Sequence, residues 1–177
     1  MTVLLPSRMR RNARISPDGL RRYWLTRTWY AEGEQPRLCC FIMLNPSTAD
    51  ADKDDPTIRK CIGFAERLGF NGFIVINLFA WRATDPADLR AAGWSRDEHT
   101  ERMYWIRAIG HTHVVTVIAA WGAHVRGMAQ AEVPIREVLA TCQTLQKPLH
   151  ALALTADGIP RHPLMLPYSS QLLTVTQ

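Results

Sequence analysis

The sequence contains no apolar run that approaches the ~20 residues needed to cross a membrane. Its arginine-rich beginning, residues 8–14, also lacks the apolar core of a secretory signal peptide. Acidic residues are in the minority, with 16 Asp and Glu against 21 Lys and Arg, and the net charge is +5. We therefore expect a cytoplasmic protein without a membrane partner, whose basic excess suits a polyanion such as nucleic acid.

The motifs of several common enzyme classes are also missing. The chain has no Gly-x-x-x-x-Gly-Lys phosphate loop and no dinucleotide-binding glycine fingerprint, which argues against nucleoside triphosphatases and dehydrogenases. No serine lies in the Gly-x-Ser-x-Gly elbow of α/β-hydrolases. None of the 4 cysteines belongs to a Cys-x-x-Cys pair, so we expect reduced thiols in or near the core, no metal and no cofactor.

The pattern that is present is that of a single α/β domain over residues 1–177. Apolar runs alternate with amphipathic stretches, and this alternation predicts a three-layer sandwich around a central, mainly parallel, four-stranded sheet. The predicted strands are Leu38–Leu44, Gly72–Leu78, Val114–Ala120 and Leu149–Leu154. The predicted helices are Thr57–Leu68, a short one from Asp85 to Gly93, Ser95–Ile109 and Pro134–Leu145. A basic arm and a β-hairpin over residues 1–30 precede this core, which spans residues 38–166.

Ligands of such sheets bind beyond the carboxyl ends of the strands, where polar and aromatic side chains stand in this sequence. They are Asn45, Asn77, Trp121 and His162, each at or after the end of a predicted strand. Asparagine can orient a water molecule or pair with a nucleobase edge, and tryptophan can stack on a base. Neutral histidine can donate a hydrogen bond to an oxygen that gains charge in a transition state. Together these groups predict a pocket for a heterocyclic base.

Three of these residues also have a purely structural interpretation. Asn45 precedes Pro46 and can form a turn, Trp121 can belong to the core, and His162 can belong to a turn before Pro163. The Asp50–Asp55 segment offers another chemistry, because its carboxylates are ligands suited to a divalent cation. Such a loop is more often solvated than metal-bound. A metal-dependent hydrolase that uses these carboxylates is therefore only an alternative to the base-binding pocket.

Short motifs across most of the chain resemble those of a known family. They are Leu44–Asp50, Asp55–Thr57, Asn77–Thr84, Trp121–Ala123 and Arg161–Leu164. With these motifs, the region from Tyr23 to about Leu166 strongly resembles a bacterial and phage family known as domain of unknown function 1643. The resemblance implies no activity.

The order of the same motifs is similar to that of the uracil-DNA glycosylase superfamily. This second resemblance implies a uracil-DNA glycosylase-like fold, with Asn45 as the water-positioning residue and Asn77 as the base-reading amide. It also implies that Trp121 closes the third strand and that His162 is the electrophilic histidine, on a loop that enters the DNA minor groove. The protein would then hydrolyse an N-glycosidic bond in DNA or in a nucleotide.

On this interpretation, Asn45 and His162 are the catalytic residues. The substrate-binding residues are Pro46, Ser47, Asn77, Phe79, Trp121 and Arg161, and the phosphate contacts are Arg82 and Arg126. Asparagine is a weaker base than aspartate, and this favours a second hypothesis, a non-catalytic module that binds nucleic acid or a nucleotide on the same fold. The oligomeric state stays open.

Overall fold

The computed structural model describes residues 9–85 and 96–175. Their centre is a seven-stranded mixed sheet with the order β1-β2-β4-β3-β5-β6-β7. The strands are β1 (Arg10–Ile15), β2 (Arg22–Thr28), β3 (Leu38–Met43), β4 (Gly72–Asn77), β5 (Val114–Ala119), β6 (Leu149–Ala151) and β7 (Leu173–Thr174). The helices are α1 (Pro56–Arg67), α2 (Glu98–Ile109) and α3 (Ala129–Thr144).

The prediction of a four-stranded sheet is wrong in number, although the four predicted strands are its parallel centre. β4, β3, β5 and β6 pair in parallel, as predicted. The predicted hairpin of β1 and β2 is present, and β2 joins the sheet by pairing antiparallel with β4. At the other side, β7 pairs antiparallel with β6. The additional strands bind backbone groups that the edges of β4 and β6 would otherwise leave unpaired.

Two apolar clusters, one on each face of the sheet, make the fold a three-layer sandwich. On the α1 face, Phe41 and Phe73 pack with Ile58 and Ile62 of α1. On the α2–α3 face, strand residues pack with Trp105 of α2 and with residues of α3. The four cysteines are free and buried, which confirms the prediction of thiols in the core. Among the described helices, none combines the length and the apolar character needed to cross a membrane.

The helix boundaries and faces differ from prediction in three places. The apolar spacing of Met103, Ile106 and Ile109 predicts the inward face of α2, but Met103 and Ile106 are 51% and 47% exposed, because Trp105 and Ala108 occupy inward positions. α3 begins at Ala129, so that the proline predicted near its start lies inside the helix. The helix predicted from residue 85 to residue 93 falls mostly on residues outside the described part of the chain.

Candidate functional site

The two asparagines of the predicted site lie on neighbouring strands at the same edge of the sheet. β3 and β4 run parallel, with Met43 paired with Asn77. Their pairing continues past the strand ends, since the Leu78 N–H donates to the Met43 carbonyl at 2.8 Å. Asn45 follows two residues after Met43, so both carboxamides belong to the carboxyl edge where ligands of parallel sheets bind.

The Asn45 carboxamide joins the loop after β3 to the segment after β4. Its Nδ2 donates to the Ala83 carbonyl at 2.8 Å and to the Pro46 carbonyl at 3.2 Å. The Ala83 N–H in turn donates to the Pro46 carbonyl at 2.9 Å. Asn45 Oδ1 has no hydrogen-bond partner in residues 9–85 and 96–175. The amide is therefore fixed in direction, while its acceptor oxygen stays available.

The Asn77 carboxamide is held through its oxygen, whereas the Asn45 carboxamide is held through its nitrogen. Asn77 is only 4% exposed, and its Oδ1 faces Nη2 of Arg22 at 3.5 Å. Its Nδ2 has no partner among the described residues. Phe73 and Val75 of the same strand pack on the α1 face, and strand alternation therefore directs Asn77 to that face as well. Asn77 therefore has an unpaired donor, Nδ2, whereas Asn45 has an unpaired acceptor, Oδ1.

Arg22 is a functional candidate that the sequence did not indicate. It begins β2 and is only 3% exposed, and its Nη1 donates to the Ala49 carbonyl at 2.9 Å. Burial lowers the pKa of Arg22 to about 10, and the nearby Asp55 carboxylate opposes this shift. An arginine at the start of a hairpin strand is typical of a solvent-exposed edge. Its burial follows from the pairing of β2 with β4, which strand patterns alone do not predict.

His162 is held in one tautomer by the backbone that follows it. It caps a short 3₁₀ turn, Pro163–Met165, with Nδ1 accepting from the Leu164 N–H at 3.3 Å. Since Nδ1 is the acceptor, the proton of the neutral ring is on Nε2. Burial lowers the pKa of His162, and this favours the neutral ring at pH 7. His162 is therefore a neutral donor whose Nε2–H has no protein partner in the described part of the chain.

The start of α1 connects these groups electrostatically. Asp55 caps the helix, its Oδ1 accepting from the Ile58 N–H at 2.8 Å. The same carboxylate raises the pKa of Arg22 and of His162 against the larger opposing effect of burial. The turn after His162 packs against α1. Arg22, Asp55, Asn77 and His162 thus form what we call the helix-start cluster.

Trp121 and Phe79 have core positions. Both are buried in the cluster on the α2–α3 face, whereas Asn77 faces α1. The end of β5 nevertheless reaches His162, because Gly122 follows Trp121 with φ of 80°. A Cβ added to Gly122 would lie 3.1 Å from the His162 Cβ. The segment Trp121-Gly122 therefore packs directly against the backbone and Cβ of His162.

Both predicted phosphate-binding arginines, Arg82 and Arg126, have protein partners, whereas Arg161, predicted to bind substrate, is exposed. The Arg82 guanidinium donates to three backbone carbonyls, those of Gly19, Ser47 and Thr48. Arg126 forms an exposed bidentate pair with Asp157, at 2.6 and 2.8 Å. Arg161 is exposed, and its backbone N–H donates to the Ala153 carbonyl. Arg82 consequently braces loops, and of the three only Arg161 has an exposed side chain outside such a pair.

An open cleft of about 190 Å³ borders the loops that Arg82 connects. Its lining consists of Gly19, Leu20, Ser47, Thr48, Arg82, Ala83 and Thr84. Asn45 donates to Ala83, one of these lining residues, and Arg22 donates to Ala49, which directly follows Thr48. The cleft and the helix-start cluster are therefore built on the same loop.

The acidic loop before α1 is occupied by internal contacts. Asp50 Oδ1 accepts from the N–H groups of Asp52 and Lys53, both at 2.8 Å. Asp54 forms ion pairs with Arg11 and Arg27, each at 2.8 Å. Within residues 9–85 and 96–175, no three His, Cys, Asp or Glu side chains are grouped as metal ligands. The loop is thus a structural bridge between β2 and α1.

The lowered pKa of His162 predicts a loss of stability in weak acid. The unfolded chain, with a histidine pKa of about 6.5, binds the proton more tightly than the folded one. The free energy of unfolding should therefore fall as pH drops from about 7 to 5, by at most about 1.4 kcal/mol per pH unit for one histidine. Urea denaturation across this range measures the slope.

The matched variants for this pH dependence are His162→Gln and His111→Gln. Burial also lowers the pKa of His111, which lies far along the chain in front of β5. Each substitution should remove its own part of the slope, and the double variant should remove both. A slope unchanged in His162→Gln would show that His162 is equally basic in the folded and unfolded chains.

Comparisons with known proteins identify a family without an assigned activity. A search of the curated proteins and a search of the solved structures both found no match. The family described as "Protein of unknown function (DUF1643)" matches residues 22–164, which include the central parallel strands, the helix-start cluster and the cleft lining except Gly19 and Leu20. The chain therefore belongs to the DUF1643 family.

Proposed function

We propose that this protein is a uracil-DNA glycosylase-like enzyme that hydrolyses an N-glycosidic bond in DNA or in a nucleotide. One observation supports the proposal most. Asn45, Asn77 and His162 are each anchored to the protein through one polar atom, and the other polar atom of each has no described partner. Side chains held in this way are pre-organised for a ligand and lose little freedom on binding it.

The polar atoms of Asn45, Asn77 and His162 that have no described protein partner suit three different roles in this reaction. Asn45 Oδ1 is an acceptor that can orient a water molecule toward the sugar. Asn77 Nδ2 is a donor for an acceptor on the base edge. The Nε2–H of neutral His162 can donate to the oxygen that becomes negative as the base leaves.

Because a carboxamide does not accept a proton at neutral pH, the proposed reaction passes through a sugar cation. The bond between sugar carbon and base nitrogen breaks, and its electron pair leaves with the base. The water held by Asn45 then adds its oxygen to the sugar carbon and releases a proton to solvent, while the base anion takes one up. Extruding a base from a duplex costs a few kcal/mol, which favours damaged or modified bases.

The direct test is a screen for base release. Purified protein is incubated with single- and double-stranded oligonucleotides that carry varied modified bases, and abasic sites are measured by strand cleavage in alkali. Release of at least one base is expected. The same screen with the Asn45→Ala/His162→Ala double variant, purified identically, excludes a contaminating glycosylase. Activity equal in both preparations, or absent with every substrate, would contradict the proposal.

The second candidate function is a binding module for nucleic acid or a nucleotide. The observation that favours it is the absence of a strong base at Asn45, whose donor end is already bound to Ala83. Binding without base release would identify this function. The metal-dependent hydrolase has less support, because Asp50, Asp54 and Asp55 already accept hydrogen bonds or ion pairs within the protein.

A further inference from the structure

Two buried donors of the helix-start cluster have no acceptor. They are Nε of Arg22 and Nδ2 of Asn77, each shielded from solvent and without a partner in the described part of the chain. Leaving a buried donor unsatisfied costs about 1–3 kcal/mol, and more for a charged group. Two such donors on adjacent strands therefore require an explanation.

The guanidinium of Arg22 brings the two unsatisfied donors close together. In arginine, the Nε–H and one N–H of Nη2 point the same way along one edge of the planar group. Nη2 lies 3.5 Å from Asn77 Oδ1, and Nε is bonded to the same guanidinium carbon as Nη2, so the unsatisfied Nε–H is a close neighbour of the Asn77 carboxamide. One atom between the two residues would satisfy both.

Only an acceptor can occupy that position. Arginine has five donors and no acceptor, and Asn77 already uses its oxygen on Arg22. An amino group or a protonated ring nitrogen would add a further donor beside the two. A carbonyl or phosphate oxygen would accept from both without displacing a protein contact.

The charges around the pair favour an oxygen that is negative. Burial is the main cause of the lowered pKa of Arg22; among the nearby charges, Asp55 raises this pKa, and Arg82 and Arg27 lower it. The start of α1 adds the positive end of a helix dipole on the same face. A partly or fully negative oxygen would reduce the repulsion among these positive groups.

We infer that Arg22 and Asn77 form a two-donor site for one acceptor-only oxygen of the substrate, a carbonyl or phosphate oxygen, and that Arg22 thereby determines specificity. This inference rests on the proposed function and narrows its substrates. A base with a keto oxygen is accepted at this position, and a base with an amino group in its place is rejected.

The first experiment needs no variant. The ¹⁵N resonances of the Arg22 Nε–H and of the Asn77 carboxamide are followed while uridine, inosine or inorganic phosphate is added. At least one of these probes should shift both resonances. The matched amino nucleosides, cytidine for uridine and adenosine for inosine, should bind about tenfold or more weakly, since a site built for an acceptor is then left unpaired.

The three kinds of probe separate the sources of the oxygen. A response to a keto nucleoside but not to phosphate assigns the oxygen to a base, and the reverse assigns it to a phosphate. If neither moves the Arg22 resonance, the two donors hold an internal water only and the inference is wrong. Equal affinity for the keto and amino nucleosides would also overturn it.

Asn77→Asp is the informative variant because it is isosteric. The added carboxylate oxygen replaces the unsatisfied donor and pairs with Arg22, so the variant should fold with a melting temperature at least equal to the wild type. It should lose at least tenfold in affinity for the probe that binds the wild type, because the site now holds its own oxygen. Wild-type affinity in Asn77→Asp would contradict the inference.

These measurements are independent of turnover. If probes bind as expected but no oligonucleotide releases a base, the proposed hydrolysis fails and the two-donor site remains. If bases are released but no probe shifts the Arg22 and Asn77 resonances, the proposed hydrolysis is supported and the proposed two-donor site is wrong.

Discussion

Replacing Asn45 with alanine is expected to lower the rate of base release by about ten- to a thousandfold, the usual cost of losing a positioned catalytic group. In the proposed reaction, Asn45 Oδ1 orients the attacking water and stabilises the sugar cation, and this cation develops only as the transition state is approached. Substrate affinity should therefore change much less than turnover. Single-turnover rates and equilibrium binding to the substrate found in the screen give the two quantities separately.

Asn77→Ala is the variant to compare with Asn45→Ala, because the two variants together distinguish an enzyme from a binding module. A base-reading amide binds in the ground state, so this variant should weaken affinity as well as turnover. If the protein only binds, both substitutions should weaken binding to a similar extent. Undiminished base release by a folded Asn45→Ala protein would show that Asn45 is not catalytic.

Stability has to be measured first, because Asn45 also has a structural contact. Its Nδ2 connects the loop after β3 with Ala83 after β4 through a 2.8 Å bond. Losing a hydrogen bond of this kind costs about 1 kcal/mol. Asn45→Asp is a useful second variant, since it loses the same donor but keeps an acceptor for water. A rate retained in Asn45→Asp and lost in Asn45→Ala would assign the effect to the acceptor oxygen.

The parallel centre of the sheet could be predicted from the sequence because its strands are buried on both faces. β3 and β4 are continuous apolar runs, and a run of this kind between turn residues has few alternative conformations. β7 could not be predicted, since Leu173–Thr174 is a two-residue exposed strand. Its position depends on the unpaired edge of β6, a tertiary feature that no local pattern encodes.

The positions of the candidate residues could be predicted only for side chains at the ends of apolar strands. Asn45 lies just after β3 and Asn77 is the last residue of β4, so the rule for strand ends predicted the positions of both. Arg22 was missed because its burial depends on a hairpin that joins a strand distant in sequence. The inward positions of α2 were missed for a related reason, since buried Glu101 belongs to its inner face and breaks the apolar period.

Replacing Arg27 with methionine is expected to lower the free energy of unfolding by about 3–5 kcal/mol, the usual cost of removing one partner of a buried ion pair. Arg27 is fully buried, and its Nε pairs with Asp54 at 2.8 Å. Its Nη2 also donates to the Asp50 carbonyl at 2.6 Å. Methionine fills a similar volume, so the loss of stability reports on Asp54 Oδ1 and the Asp50 carbonyl, which lose Arg27, while Asp54 Oδ2 keeps its ion pair with Arg11. Urea denaturation monitored by tryptophan fluorescence measures it.

Arg11→Met is the matched control, because Arg11 pairs with the same carboxylate from a more exposed position. The Arg11 side chain is 29% exposed and its ion pair with Asp54 is also 2.8 Å long. Removing an exposed partner of this kind costs up to about 1 kcal/mol, and salt should reduce that cost further. Equal destabilisation by both substitutions would show that burial of Arg27 is not what matters.

Arg27→Met should also affect the helix-start cluster, because Arg27 contacts the loop that leads to it. By holding Asp50 and Asp54, it fixes the loop that leads from Asn45 to the start of α1. A loosened loop should displace Ala49 from Arg22 and so disturb the helix-start cluster from a distance. Arg27→Met should therefore weaken binding of the probe that shifts Arg22, whereas Arg11→Met should leave it unchanged. If Arg27→Met is destabilised but binds as tightly as the wild type, the loop is not the element that positions Arg22.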